Sequence, residues 1–205
     1  ERIEYRFEMP ARYLTSRLNT TTGEMIFALN YSELSIKYIE TEGSVGKVPT
    51  IAGINYSEGN KDGLTQKTLE NLSRIKFASE NYAGRTATLF MKFNLTDFGA
   101  GCVMSGVYGA AYDTLYVSEN GIYPVFWGEK NGAASGCFFS FGELETYVLK
   151  LNSATLETVN AVNLSGYTVY DRQALKQFGD KLYVVCSRTN GAGTSVAAFN
   201  ASDLS

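Results

Sequence analysis

Apolar and polar residues alternate with a period of two along most of this chain, and that period predicts strands. Residues 12–18 and 24–29 read as the two arms of a hairpin around the turn 19–23, Asn-Thr-Thr-Thr-Gly. Such a turn offers side-chain oxygens to its own backbone and a glycine for a left-handed position. In the second arm Met25, Phe27 and Leu29 alternate with Ile26 and Ala28, so both faces are apolar. That pattern belongs to a strand covered on each side. Residues 89–93 and 147–151 read the same way, and further strands are predicted over 35–40, 50–55, 101–105 and 157–164. One stretch departs from the plan. Leu64, Leu69, Leu72 and Ile75 stand near helical spacing and predict a short helix over 64–74. Residues 171–178 are read as a strand entering Gly179-Asp180, and 128–136 as loop.

The hairpin recurs. Residues 13–34 fall without a gap on 77–98 at a shift of 64 and on 183–204 at a shift of 170. Each copy has an aromatic residue, a polar turn, an alternating strand and then Asn-x-[Ser/Thr]-[Asp/Glu]-[Leu/Phe]. A further copy is stretched: Leu115-Tyr116-Val117 opens it, Tyr147 to Asn152 closes it, and a long insertion separates the two. Its opening, Tyr112 to Val117, also agrees with Gly179 to Val184. The units lie at about 12–34, 76–98, 115–156 and 182–204, and gapless repetition of this kind implies one repeat-built domain across the 205 residues.

The strings ETVNAVNLSG, GDKLYVV and TSVAAFNASDL, with 13–34 next, resemble blades of quinoprotein-type β-propellers. The resemblance implies an all-β fold of antiparallel blades, and the short helix read over 64–74 is an insertion on that plan. It does not extend to the quinone cofactor. The tryptophan docking positions of such repeats are missing, because Trp127 is the sole tryptophan and lies in the insertion. In blade terms the chain holds about three and a half units, and an open array exposes strand edges. The expectation is an incomplete or partner-completed array, a segment of a longer chain or one covered by a neighbour. A β-sandwich or fibre domain of stacked hairpins is the other architecture.

Composition narrows the chemistry. Net charge is −3 with 18 basic and 21 acidic residues and no basic stripe, which argues against nucleic acid. No run approaches a membrane span. Histidine is absent, which removes Ser-His-Asp and Cys-His nucleophiles and His-ligated metals. Cys102, Cys137 and Cys186 are far apart and form no CxxC pair. One disulfide with a spare thiol, or three small core residues, both fit.

Four groups of residues carry candidate function. Asn-x-Ser/Thr occurs at Asn19, Asn30, Asn55, Asn71, Asn94, Asn163 and Asn200, either as N-glycosylation acceptors or as recurrent turn formers. Glu58, Asn60 and Asp62 open a stretch like an acidic calcium loop, although an ordinary turn has the same composition. Tyr123, Phe126, Trp127, Phe138, Phe139 and Phe141 concentrate rings in the insertion, where they can stack on a sugar, fill an interface or pack the loop. Glu143, Glu145, Asp113 and Asp180 are the carboxylates that a glycosidase pair would draw on, and solvated caps explain them as well.

The function expected is recognition without bond making. The chain reads as an extracellular binding or structural module, such as a surface filament, adhesin or sheath component, meeting a protein or a glycan through its loops. No cofactor is expected, calcium aside. A viral or phage fibre receptor-binding domain and a carbohydrate-active enzyme using carboxylates are the alternatives.

Overall fold

The computed structural model describes residues 11–31, 37–40, 47–50, 76–77, 87–97, 102–108, 111–119, 121–129, 144–169, 172–189 and 191–205. Strands make up 69% of these and helix 2%, so the fold is all-β as expected. The first sheet contains β1 (Arg12–Asn19), β2 (Glu24–Tyr31), β5 (Lys76–Phe77), β6 (Ala87–Asn94) and β7 (Cys102–Tyr108), in the order β1-β2-β6-β7-β5. All its pairs are antiparallel except β5 with β7. Between β2 and β5, β3 (Lys37–Glu40) and β4 (Lys47–Thr50) pair with each other. The second sheet is a four-stranded meander of β8 (Ala111–Val117), β9 (Ile122–Glu129), β10 (Leu144–Leu151) and β11 (Thr158–Asn163). In the third, β14 (Lys181–Arg188) is flanked by β15 (Thr194–Asn200) on one side. On its other side lie β12 (Tyr167–Thr168) and β13 (Leu175–Phe178), joined through a 3-10 turn at Arg172–Ala174.

The hairpins expected at 12–34 and 182–204 are present as β1–β2 and β14–β15. The hairpin expected at 76–98 is not. Its second arm, β6, pairs with β2 and β7, while β5 runs parallel to β7. The stretched copy is also different. β8 and β10 do not pair with each other, because β9, drawn from the first half of the supposed insertion, lies between them and pairs with both. A period-two apolar run needs a neighbour on each edge, and 122–129 supplies it. The agreement of 112–117 with 179–184 sets an edge strand, β8, against a central one, β14, and so is not a structural equivalence. The helix expected over 64–74 lies outside the described residues.

A different equivalence replaces it, and it starts from one turn. Asn19 Oδ1 accepts the backbone N–H groups of Thr21 (3.1 Å) and Thr22 (3.3 Å), and Gly23 N–H donates to Asn19 O (2.9 Å). Asn152 Oδ1 accepts from Ala154 (2.8 Å) and Thr155 (3.1 Å), and Leu156 N–H donates to Asn152 O (2.8 Å). After β15, Leu204 N–H donates to Asn200 O (2.8 Å) and Asn200 N–H to Ser205 O (2.9 Å), matching Asn152 N–H to Glu157 O (2.8 Å). Asn94 begins in the same way, its Oδ1 taking Thr96 N–H at 2.9 Å. The fifth residue of each complete turn is left-handed: Gly23 (φ 70°), Leu156 (57°) and Leu204 (60°). For leucine that conformation costs about 1–2 kcal/mol. Both leucine side chains are buried, which returns about as much or more.

Superposing the turns at Asn94, Asn152 and Asn200, which follow β6, β10 and β15, makes those three strands equivalent, with β2, β9 and β14 beside them. Their faces then correspond. Ile26, Ala28 and Phe90 of the first sheet bury against Leu115, Ile122, Phe126, Leu149 and Leu151 of the second. Phe90 meets Phe126 edge-on at 6.2 Å. Tyr123, Val125 and Val148 of the second bury in turn against Leu175, Leu182, Val184 and Cys186 of the third. A polar tie repeats with the same spacing. Lys92 of β6 donates to the carbonyl of Ser153, and the equivalent Lys150 of β10 donates to that of Ala201. Lys92 also pairs with Glu24 at 2.7 Å. Three sheets therefore stack in chain order, each using the same positions to cover the next.

Candidate functional site

The leading strands of the three sheets lie in sequence: β1 touches β8, and β8 touches the 3-10 turn before β13. At their C-terminal ends they enclose a cavity of about 490 Å3. Leu18, Asn19, Thr20 and Thr21 line it from the first sheet, Tyr116 to Glu119 from the second, and Lys176, Gln177 and Gly179 from the third. Tight turns put polar groups here. Gly23, Gly121 and Gly179 let each chain reverse within a few residues, and turn residues keep their side chains toward solvent.

Gln177 organises the floor. Its N–H donates to Tyr116 Oη (2.9 Å), its Oε1 accepts from Ser118 Oγ (2.6 Å), and its Nε2 donates to Gly179 O (3.0 Å). Tyr123 Oη lies 3.2 Å from the same Oε1 and donates to Ala201 O at 2.9 Å. The Tyr116 and Tyr123 rings stack at 6.0 Å, and Lys150 Nζ sits 5.6 Å from the Tyr123 centroid. Burial pushes the Tyr123 phenol up to about 12, with Tyr116 adding to the rise. Burial also lowers the Lys150 ammonium, against the pull of Asp203. Gly121 is required here, because a Cβ on it would lie 2.3 Å from Tyr123 Oη. The floor is thus a fixed hydrogen-bond network tying the second sheet to the third, while Thr20, Thr21, Glu119 and Lys176 stand exposed at the rim.

The aromatic group is split by the fold. Tyr123 and Phe126 face opposite sides of β9 and are buried in the two inter-sheet cores, where they pack rather than meet a ligand. Trp127 is 42% exposed but pairs with Ala111, at the far end of the β8–β9 ladder from the cavity. Phe138, Phe139 and Phe141 lie outside the described residues, as do Glu58, Asn60 and Asp62 of the calcium-like loop, Asn55, Asn71, Glu143 and Cys137. Among the described residues no three His, Cys, Asp or Glu side chains cluster to hold a metal. Asn19 and Asn94 use their carboxamide oxygens to form turns. Asn200 bonds Lys181 and Ser205 through its side chain. Asn30 lies within β2, and Asn163 is exposed at the end of β11 with its Nδ2 3.3 Å from Tyr147 Oη. Glu145 is buried and accepts from Tyr147 Oη at 2.7 Å. It faces Gly128 across the ladder, away from the cavity. Glu119 is the one carboxylate among the lining residues.

Sequence reasoning missed the cavity because its members come from three separate turns. The signal available was the polar turn closing each leading strand: Asn-Thr-Thr-Thr-Gly, Ser-Glu-Asn-Gly and Gly-Asp. Fold and site define an all-β protein of stacked antiparallel sheets with a polar cleft at one end of their leading strands. No protein-family model matches the chain, and no curated protein matches it in sequence. No helix among the described residues is long and apolar enough to cross a membrane.

Proposed function

We propose that the sheets are blades of a β-propeller-type repeat and that the protein is a non-catalytic, extracellular binding module that captures a glycan in the cleft between the leading strands. One observation carries this reading: three sheets bring hydroxyls, amides, one carboxylate and one amine to a single cavity of ligand size. Polyhydroxylated ligands suit a rim of this kind, with backbone groups and Thr20, Thr21, Glu119 and Lys176 to accept and donate. A single carboxylate among the lining residues favours binding over hydrolysis, which needs an opposed pair about 5–10 Å apart. Seven Asn-x-Ser/Thr sites support an extracellular setting.

The test is a glycan array probed with the wild-type chain and with a Glu119→Gln/Lys176→Ala variant. Saturable binding to a defined glycan, weakened at least tenfold in the variant, is the expected outcome. A flat array, or equal binding by both proteins, refutes the glycan reading. Product release from a bound oligosaccharide would instead favour the enzyme.

A further inference from the structure

We propose that the outward face of the third sheet is a docking site for a further antiparallel sheet of this same repeat, which also pairs along β15. The turn superposition makes Tyr183, Val185 and Val196 the equivalents of Tyr123, Val125 and Val148, identical residues at all three positions. In the second sheet those three side chains are fully buried beneath the third. In the third sheet they are 39%, 42% and 64% exposed. Phe178, opposite Lys181 and so on the same face, is 79% exposed. One set of residues is therefore fully covered where a sheet follows and substantially exposed where none follows among the described residues. Contiguous apolar surface of this kind marks an interaction site.

The edge agrees with the face. Asn152 to Glu157 turns the chain so that β11 pairs with β10. Asn200 to Ser205 forms the same turn beside β15, whose second edge carries no partner among the described strands. An open edge of this geometry accepts an antiparallel strand. The covering sheet must present an aliphatic face like that of Leu182, Val184 and Cys186. Within the described residues, the faces of that kind are already buried, including Leu89, Met91 and Met104 on the far side of the first sheet. The counterpart positions of the first sheet (Ile26, Ala28, Phe90) and of the second (Tyr123, Val125, Val148) are each covered by the next sheet of the repeat, which selects a further repeat sheet as the occupant. The kind of occupant rests on the blade reading; capture of a ligand at the cleft is measured separately, so either idea can fail alone.

The experiment extends the chain after Ser205 with a second copy of residues 158–205, the segment that follows the equivalent turn. Amide exchange at Val196 and Ala198, whose N–H groups lie on the same open edge as that of Asn200, is expected to slow at least tenfold relative to the unextended chain. Val185→Lys is expected to abolish that slowing in the extended protein and to leave exchange in the unextended one unchanged. Unchanged exchange in the extended chain overturns the proposal, and so does an appended repeat that stays unstructured, because docking on this face is what would order it. A dimer of the unextended chain that Val185→Lys dissociates also overturns it, by naming a second copy as the occupant.

Discussion

Val148 and Val196 occupy equivalent positions in β10 and β15, one fully buried and the other 64% exposed. Truncating each to alanine isolates what inter-sheet packing is worth. At Val148 the substitution removes two buried carbons, a transfer loss of about 1.6 kcal/mol at about 0.8 kcal/mol per CH2 group. The cavity left between the second and third sheets adds roughly 1 kcal/mol. At Val196 about a third of the side chain is covered, so the transfer loss is about 0.5 kcal/mol and no closed cavity forms. Both variants give up the same strand preference for valine, a cost on the order of 1 kcal/mol that cancels in the comparison. Val148→Ala should therefore be about 2 kcal/mol more destabilising than Val196→Ala. Urea unfolding followed by Trp127 fluorescence, which reports from β9 beside Val148, measures the difference. Two variants within about 0.5 kcal/mol of each other would refute the view that these positions play one role in two neighbouring sheets.

Further outcomes follow from the same contacts. Tyr112 and Tyr123 are both pushed up to about 12 by burial, so absorbance at alkaline pH should show these two phenols ionising late. Up to pH about 10 each is protonated whether folded or unfolded; between about 10 and 12 only the folded state keeps the protons, so stability falls as pH rises through that window. Gly121→Ala drives the Tyr123 ring out of place, and should cost about 1–3 kcal/mol and return one late phenol toward 10. Lys92→Met takes the cation from half-buried Glu24, leaving it the Thr22 hydroxyl, and should cost about 2 kcal/mol by chemical denaturation, most of it recovered when Glu24→Gln is added. Cys186 is buried, with its thiol raised by burial and donating to Ser195 O, so a thiol reagent should modify it only as fast as the third sheet opens.

Local chemistry made much of the fold legible. β1 and β2 lie within two residues of the strands expected from alternation, and the two-sided apolar pattern of 25–29 matches a strand with cores on both faces. The Asn turn was visible as a recurring string, and it is the feature that superposes one sheet on another. The pairing of those strings was not visible. A gapless shift of 64 joined β2 to β6 as copies, whereas they are neighbours in one sheet, and the segment from 32 to 86 separates them in the chain. Tyr123 and Phe126, expected in a loop that meets a sugar or a protein or packs onto the domain, lie in a central strand for a similar reason. An aromatic cluster reads alike in a loop and in a central strand, and only its partners on either edge decide which faces of it remain bare.

By itself the sequence determined the local states of the chain: strands from period-two alternation, reversals from asparagine and glycine, and the exclusion of histidine chemistry. These depend on residues a few positions apart, which the chain holds together whatever its fold. Only the tertiary structure decided that 122–129 stands between β8 and β10, that Lys92 and Lys150 tie successive sheets, and that three distant turns share one cavity. Those outcomes depend on which apolar face buries against which, a choice among many nearly equivalent pairings that no single stretch of sequence contains.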